Sequence, residues 1–287
     1  MSPGENPANT AAAARQRAAR ARAAAGRAHR AADVQDRAAA ATGRDVHRRL
    51  AAGYRRVALV QNSAAELHEA YARRMTAWSR RKDPRPEFMS GVADACGSRG
   101  ACMTLVSRGG GQLAVAASDG AAREAQELEF MLDEGPARDA VGWHAPVLMS
   151  GPPAIEHRWP GYGPELAALG FTGVAAVPLE AADLCVGALT LYDPDLSAPA
   201  FSGSAWVAEA LTHTVLLGPD AEPELYGDAD HRHLVYEAAV AHAERAGLAA
   251  ADALDLIKAV AFAEGRSTES VARRVLAHDG ELPGRTG

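Results

Sequence analysis

The apolar side chains between residues 46 and 71 follow a regular spacing. Intervals of four and three residues alternate along the stretch, which is the pattern of a coiled-coil seam. A single stripe of this kind needs a partner, either the same helix of a second chain or the C-terminal helices of this chain. We favour the first and predict a homodimer. The seam consists of Val46, Leu50, Gly53, Val57, Val60, Ala64, Leu67 and Tyr71.

The segment before the seam lacks large apolar side chains. Residues 1–10 contain Pro, Gly and Asn and predict disorder. Residues 11–41 are mostly alanine and arginine, which are strong helix formers, so we expect a solvated, marginal helix. The arginines also suit nucleic-acid phosphates, but without interleaved aromatic side chains we favour a solvated helix face. Residues 1–82 are therefore predicted as a disordered-to-helical arm that carries a coiled-coil seam.

Short strands and helices alternate in the middle of the chain, residues 83–220. The run Asp83-Pro84-Arg85-Pro86 ends the preceding helix, because proline disfavours the helical conformation in the residue before it. Antiparallel hairpins with helices at both ends predict an α+β domain. The predicted strands cover residues 101–106, 113–118, 146–149, 172–179 and 184–192, and the predicted helices cover residues 88–97, 121–131 and 201–217.

Three further helices are predicted after a linker at Pro219–Pro223. Gly247 and Gly265 fit the left-handed residue that ends a helix, and Ser267 fits an N-cap. So small a unit needs support from a neighbour. The three helices are predicted at 232–246, 250–263 and 268–277, within a domain of residues 228–287.

Composition and charge narrow the function classes. The 287 residues, 48% of them hydrophobic, suit about two folded domains. The three cysteines are too scattered for a disulfide framework or a metal knuckle. Neither a signal peptide nor a run of about 18 apolar residues occurs, so we expect a cytoplasmic protein without membrane contact. Residues 1–82 carry 17 basic and 6 acidic side chains, and the rest carry 13 and 30, which suggests different partners or one segment docking on another.

Three strings in the middle domain carry a family resemblance: AVAASD, LEFMLDEGPARDAV and RWPGYGPELAALGFTGVAAVPLEAADLCVGALTLYD. Over about 120 residues they resemble the GAF domain of actinobacterial GAF-ANTAR regulators. The resemblance implies a small-molecule pocket enclosed by the sheet and its flanking helices. It places the E-G-P-x-x-D segment at the pocket edge, here Glu134, Gly135, Pro136 and Asp139.

The C-terminal string VYEAAVAHAERAGLAAADALDLIKAVAFAEGRSTESVARRVL resembles the ANTAR domain, which binds paired RNA hairpins and prevents transcription termination. With a GAF-like sensor before it, the resemblance implies a signal-responsive antitermination regulator. This chain departs from the family pattern at Val240, where glycine is usual, and at Val260, where an aromatic or histidine side chain is frequent. Lys258 stands at the place of an arginine and lacks the bidentate guanidinium.

The basic residues of the last two helices are the candidate RNA contacts: Lys258, Arg266, Arg273 and Arg274. Residues 228–287 hold 7 basic and 10 acidic side chains, a weak electrostatic footprint for RNA. The alternative is therefore a sensor or scaffold whose ANTAR-like helices bind a protein. We expect no enzyme, cofactor or metal, because no Ser/His/Asp or paired-carboxylate constellation occurs and the loop residues His144 and His157 fit solvated histidines.

Overall fold

The computed structural model describes residues 7–78, 86–181, 184–197, 203–216, 230–278 and 280–282. An antiparallel sheet with helices on both faces confirms the α+β class. The helices are α1 (Pro7–Thr42), α2 (Asp45–Trp78), α3 (Phe88–Cys96), α4 (Gly120–Leu132), α5 (Pro136–Trp143), α6 (Pro152–Arg158), α7 (Tyr162–Ala168), α8 (Ser204–Ala210), which continues as a π-helical turn (Leu211–Leu216), α9 (His233–Ala246), α10 (Ala250–Glu264) and α11 (Thr268–Ala277). The strands are β1 (Ser98–Val106), β2 (Gln112–Ala117), β3 (Val147–Ser150), β4 (Gly173–Ala181), β5 (Leu184–Pro194) and β6 (Asp230–His231).

Helices α1 and α2 pack along each other as an antiparallel hairpin. Small side chains fill the space between them, so the two backbones approach closely without large apolar groups. Two predictions are wrong here: residues 7–10 are helical, and the Ala/Arg segment is a packed helix rather than a solvated, marginal one. The buried alanines on α1 are Ala11, Ala14, Ala18, Ala21, Ala25, Ala28, Ala32 and Ala39. On α2 a row of four buried alanines is spaced seven residues apart: Ala51, Ala58, Ala65 and Ala72.

The predicted seam on α2 divides into two halves. The half from Val60 to Tyr71 is buried within this chain, against α3 and the sheet domain. The approach is so close that a Cβ on Gly91 would lie 2.8 Å from the Tyr71 backbone nitrogen. The prediction that a second chain covers the whole seam is therefore wrong for this half, because helices of the sheet domain in the same chain already cover it. The other half is exposed: Val46 by 42%, Leu50 by 45% and Val57 by 49%.

The sheet has the order β3-β4-β5-β1-β2-β6, and all neighbouring strands are antiparallel. Because side chains alternate between the faces of a strand, β1 serves two cores. Ala101 and Met103 face α2, α3 and α8. Cys102 faces the core that α4, α5, α6 and α7 complete. The sequence predicted the five longer strands but missed α5, α6 and α7.

Helices α9, α10 and α11 form a small unit with its own core. Gly247 and Gly265 end α9 and α10 with φ of 67° and 59°, which confirms both predicted stop signals. The Ser267 hydroxyl accepts from the Ser270 N–H at 3.2 Å, which confirms the predicted N-cap. This core includes Phe130 from α4, so the unit packs on the sheet domain.

The predicted helix breaker at Asp83-Pro84-Arg85 and the predicted linker Pro219–Pro223 lie outside the described residues.

Candidate ligand and RNA sites at the domain junction

The turn between α4 and α5 is built around a buried carboxyl group. Glu129 accepts from the Arg138 N–H at 2.7 Å and from Gln126 Nε2 at 3.1 Å, so it caps the first turn of α5. Burial raises the pKa of Glu129 to about 8. Gly135 has φ of 151°, and a Cβ there would lie 2.6 Å from the Glu129 side chain. Glycine is favoured here for two reasons: side-chain-bearing residues rarely adopt this φ, and a Cβ would overlap the Glu129 side chain.

The other residues predicted at the pocket edge hold neighbouring loops together. Pro136 is the first residue of α5, where its missing N–H costs nothing. Glu134 accepts from the Gly161 N–H at 2.8 Å and so fixes the start of α7. Asp139 accepts from Arg158 Nη2 at 2.6 Å and from Trp159 Nε1 at 3.0 Å. These contacts fasten the α6–α7 loop to α5.

A cavity of about 590 Å³ lies beside this turn, between the sheet domain and the C-terminal unit. Glu134, Gly135, Pro136 and Asp139 do not line it, but their neighbours do, and so does Lys258. The Thr104 hydroxyl on the cavity wall is buried without a hydrogen-bond partner among the described residues. The wall consists of Thr104, Val106, Gly109, Gly110, Gly111, Gln112, Glu129, Phe130, Asp133, Ala137, Arg138, Val141, Gly142, Tyr236, Ala251, Leu254 and Lys258.

Lys258 spans the junction rather than facing solvent. Its Nζ lies 2.8 Å from both carboxylate oxygens of Asp133, and its side chain is only 7% exposed. Arg138 Nη1 reaches the same carboxylate at 2.8 Å. The Lys258 Nζ also lies 4.8 Å from the centre of the Phe130 ring, within range of a cation–π interaction. This predicted RNA contact is therefore occupied within the chain.

A second ion pair fastens the C-terminal unit to α4. Arg232, 3% exposed, places Nη1 at 2.5 Å from Glu127 and Nε at 2.8 Å from Gln112 Oε1. The other oxygen of Glu127 accepts from the Thr268 N–H and hydroxyl, both at 2.7 Å, at the start of α11. The Arg232 guanidinium also lies 4.3 Å from the Phe130 ring centre.

Sequence reasoning missed all of these junction residues on α4. One signal was available: Leu128, Phe130 and Met131 are apolar at positions that a helix cannot bring to one face. Such a helix has two apolar faces, and the second one meets the C-terminal unit.

The three predicted arginine contacts lie on the C-terminal unit, and each has a carboxylate neighbour. Arg266 lies 3.6 Å and Arg274 lies 2.6 Å from Glu264. Arg273 lies 2.6 Å from Glu269, one helical turn away. The Arg266 and Arg273 side chains are more than half exposed, so they face solvent despite these pairs. Lys258 is buried at the junction, and the structure does not bring it onto one open surface with them.

Within the described ranges, no group of three histidine, cysteine or acidic residues is placed to hold a metal ion. None of the helices in the part of the chain that the structure describes is long and apolar enough to cross a membrane. Comparison with protein-family models finds no match for the chain, and comparison with curated proteins finds none either.

Proposed function

We propose that the protein is a signal-responsive RNA-binding regulator, in which the GAF-like sheet domain senses a small molecule and the ANTAR-like unit α9–α11 binds hairpin RNA in transcription antitermination. The observation that carries this proposal is the cavity at the junction, whose wall is shared by Phe130 of the sheet domain and Leu254 of the C-terminal unit. A molecule bound there contacts sensor and output together. A molecule that binds one docking arrangement more tightly than another shifts the equilibrium between them.

The ion pair between Lys258 and Asp133 gives this coupling a mechanism. Both residues line the cavity, so a ligand with a polar group competes for one of them. The ligand also meets the unpartnered hydroxyl of Thr104, since a buried polar group is stabilised by a new hydrogen bond. When the pair opens, the Lys258 ammonium becomes available to a phosphate. RNA binding and ligand binding are then linked through one contact.

The RNA part rests on the resemblance of residues 235–276 to the ANTAR domain and on the exposed side chains of Arg266 and Arg273. Without a ring at Val260, binding has to come from charge. Affinity for RNA then falls steeply as salt rises, by about 0.7–0.9 log units per log unit of salt for each phosphate neutralised.

The test measures binding of the full chain to a paired-hairpin leader RNA and to a scrambled RNA of equal length, across a salt series. We expect tighter binding to the paired hairpin. Changing Lys258, Arg273 and Arg274 together to Ala is expected to remove this preference and to lower the salt slope. The decrease is about 1.4–1.8 units for the two arginines, and about 2.1–2.7 units once the pair of Lys258 with Asp133 opens and a third phosphate is neutralised. Equal binding of both RNAs by the wild type would end the RNA proposal for this unit.

A second function is favoured by one specific observation: Arg266 and Arg274 share Glu264, and Arg273 pairs with Glu269. A surface of alternating charges suits a protein partner better than a polyanion. In this case the protein is a sensor or scaffold whose ANTAR-like helices bind a protein. It shows no preference between the two RNAs.

We further propose that the regulator is a homodimer joined through Val46, Leu50 and Val57. These large apolar side chains point away from the hairpin's interior, which contains alanine. Covering these exposed apolar side chains with a second hairpin removes their surface from water, which stabilises the association. The hairpin of a second copy offers the same apolar stripe, so the interface is self-complementary.

A further inference from the structure

Three arginines of α1 lie on the side of the helix opposite to its alanine row. At 3.6 residues per turn, Arg27, Arg30 and Arg37 fall within about a quarter of the helix circumference, facing away from α2. All three are exposed. Arg44, also exposed, follows in the short connection between the helices. We call Arg27, Arg30, Arg37 and Arg44 the arginine ridge.

The arginine ridge differs from Arg22, Arg49 and Arg55 of the same hairpin in its partners. Among the residues that the structure describes, no carboxylate forms an ion pair with Arg27, Arg30, Arg37 or Arg44. The arginines on the flanks of the hairpin do have such partners. Arg22 pairs with Glu69 at 2.6 Å, Arg49 with Asp45 at 3.2 Å, and Arg55 pairs with Asp36. Arg22 and Arg55 therefore link α1 to α2 and Arg49 pairs within α2, while the exposed side chains of the arginine ridge face solvent.

We propose that the arginine ridge is a docking surface for the phosphate backbone of RNA. This inference rests on the proposed RNA-binding function and assigns the non-selective part of the binding to the N-terminal hairpin. Arg27 and Arg37 are ten residues apart, which is about 15 Å along a helix axis. In double-stranded DNA each strand carries a phosphate about every 3.4 Å of axis, and at a spacing of this order about four phosphates pass along this distance.

The chemistry of the guanidinium suits this ligand. Each arginine presents paired N–H donors that match the oxygens of a phosphate. The alanine rows hold α1 against α2, so the spacing of the arginine positions along the helix is fixed before RNA arrives. The basic side chains of the C-terminal unit differ from the arginine ridge, since Lys258, Arg266, Arg273 and Arg274 all have carboxylate neighbours.

The surroundings of the arginine ridge favour RNA over a membrane or an acidic protein. The one large apolar side chain between the arginines is Val34. The other residues between Arg27 and Arg44 are mainly alanines, with two aspartates: Asp36 pairs with Arg55, and Asp33 is exposed without a described ion pair to the ridge. A helix that lies on a membrane needs a face of large apolar side chains, and a protein interface needs an apolar centre. Charge without apolar anchors fits phosphate contacts, which position a nucleic acid without reading its sequence.

The experiment compares two charge-matched variants of the full chain. The ridge variant is R27Q/R30Q/R37Q, and the control variant is R22Q/R49Q/R55Q, which removes the same charge from the flanks. Glutamine is a good helix former, and circular dichroism checks that both hairpins stay folded. The probe is a single-stranded RNA of mixed sequence, and its affinity is measured across a salt series.

We expect the ridge variant to lower the salt slope by about two units, because three phosphates contribute about 0.7 each. If the two proteins bind equally at about 1 M salt, the affinity of the ridge variant at about 50 mM salt is then about 500-fold lower. The control variant and a charge-keeping variant, R27K/R30K/R37K, are expected to keep the slope within about half a unit of the wild type.

Two results would overturn the inference. One is an equal loss in the ridge and control variants, which makes the effect one of net charge. The other is unchanged RNA binding by the ridge variant, including the case in which it loses binding to vesicles of anionic phosphatidylglycerol in phosphatidylcholine. The proposed function is measured separately, as the difference between paired-hairpin and scrambled RNA, whereas the arginine ridge affects both RNAs equally.

Discussion

In the N-terminal hairpin the two helices are joined by alanines, and the arginine ridge has no described carboxylate partner. In the C-terminal unit the basic side chains are joined to carboxylates, and two of them, Arg232 and Lys258, are buried at the junction with the sheet domain. The same kind of charge therefore has different consequences in the two regions. On the arginine ridge the positive charge has no described carboxylate partner. At the junction the positive charge of Arg232 and Lys258 fixes how two parts of the chain dock.

This difference matters for interpreting a sequence by its charge. The C-terminal unit carries the resemblance to an RNA-binding domain, yet Lys258, Arg266, Arg273 and Arg274 each have a carboxylate neighbour within the chain. The hairpin carries no such resemblance, yet it offers unpaired guanidinium groups. Placement and partners, rather than the number of basic residues, decide which region attracts a polyanion.

The largest effect is expected at Arg232. Replacing Arg232 by Ala leaves Glu127 without its charged partner at a junction where both are mostly buried. Breaking such a pair costs about 3–5 kcal/mol. Chemical denaturation measures the free energy of unfolding, and hydrogen exchange over α11 locates the loss. The matched control is Arg273→Ala, where the side chain is 69% exposed and we expect about 0.5 kcal/mol or less. Equal losses in the two variants would contradict a buried junction pair.

Stability is expected to depend on pH through Glu129. Its pKa rises from 4.5 in the unfolded chain to about 8 in the folded protein because the carboxyl group is buried. The folded state therefore binds more protons in this window, and the free energy of unfolding falls as the pH rises from about 4.5 to about 8. Glu129→Gln keeps the size of the side chain and cannot ionise, so its stability is expected to change less over the same window. A variant with the slope of the wild type would exclude Glu129 as the cause.

A smaller loss is expected between the helices of the hairpin. Ala25 is 2% exposed in the alanine row, so Ala25→Leu forces α1 and α2 apart. Overpacking of this kind costs about 1–3 kcal/mol. Ala23→Leu makes the same chemical change on an exposed position of α1 and is expected to be close to neutral. Thermal unfolding followed by helical circular dichroism compares them, and an equally stable Ala25→Leu would contradict the close packing of the two helices.

The exposed half of the seam predicts a change in association rather than in stability. Light scattering is expected to give twice the chain mass of 29.9 kDa for the wild type and the single mass for Leu50→Glu with Val57→Glu. Val60 is unsuitable for this test, because it is 6% exposed and belongs to the chain's own core. Val34→Glu, at a position 51% exposed outside the seam, is the control and is expected to remain a dimer. A monomeric wild type would contradict the proposed homodimer.

Local signals predicted the C-terminal helices well. Gly265 and Ser267 end one helix and begin the next through contacts within a few residues, so α11 is found at the residues that the sequence indicates, 268–277. The packing of α1 was missed for a different reason. Its buried alanines follow the same alternation of three and four as the seam, but alanine is also common on exposed helix faces, so its spacing carries little information on burial.

The ion pairs of the junction could not be predicted from local pattern, although the two apolar faces of α4 indicated a second packing partner. Glu127 and Arg232 are 105 residues apart, and Asp133 and Lys258 are 125 apart. Only the packing of α4 against the C-terminal unit brings them together. Likewise, the resemblance indicated the turn at Glu134, Gly135 and Pro136, but the side chains that line the cavity, Asp133 and Arg138, are its neighbours.

If docking of the C-terminal unit controls its access to RNA, as we propose, Asp133→Asn changes the contact on which that control depends. The change removes the carboxylate that holds Lys258, so we expect the full chain to bind paired-hairpin RNA more tightly than the wild type does, with little change for scrambled RNA. Asp255→Asn is the control, because it removes the same charge from an exposed position of α10. If Asp133→Asn and Asp255→Asn bind the paired hairpin with the same affinity, the junction does not gate RNA binding and the account is contradicted.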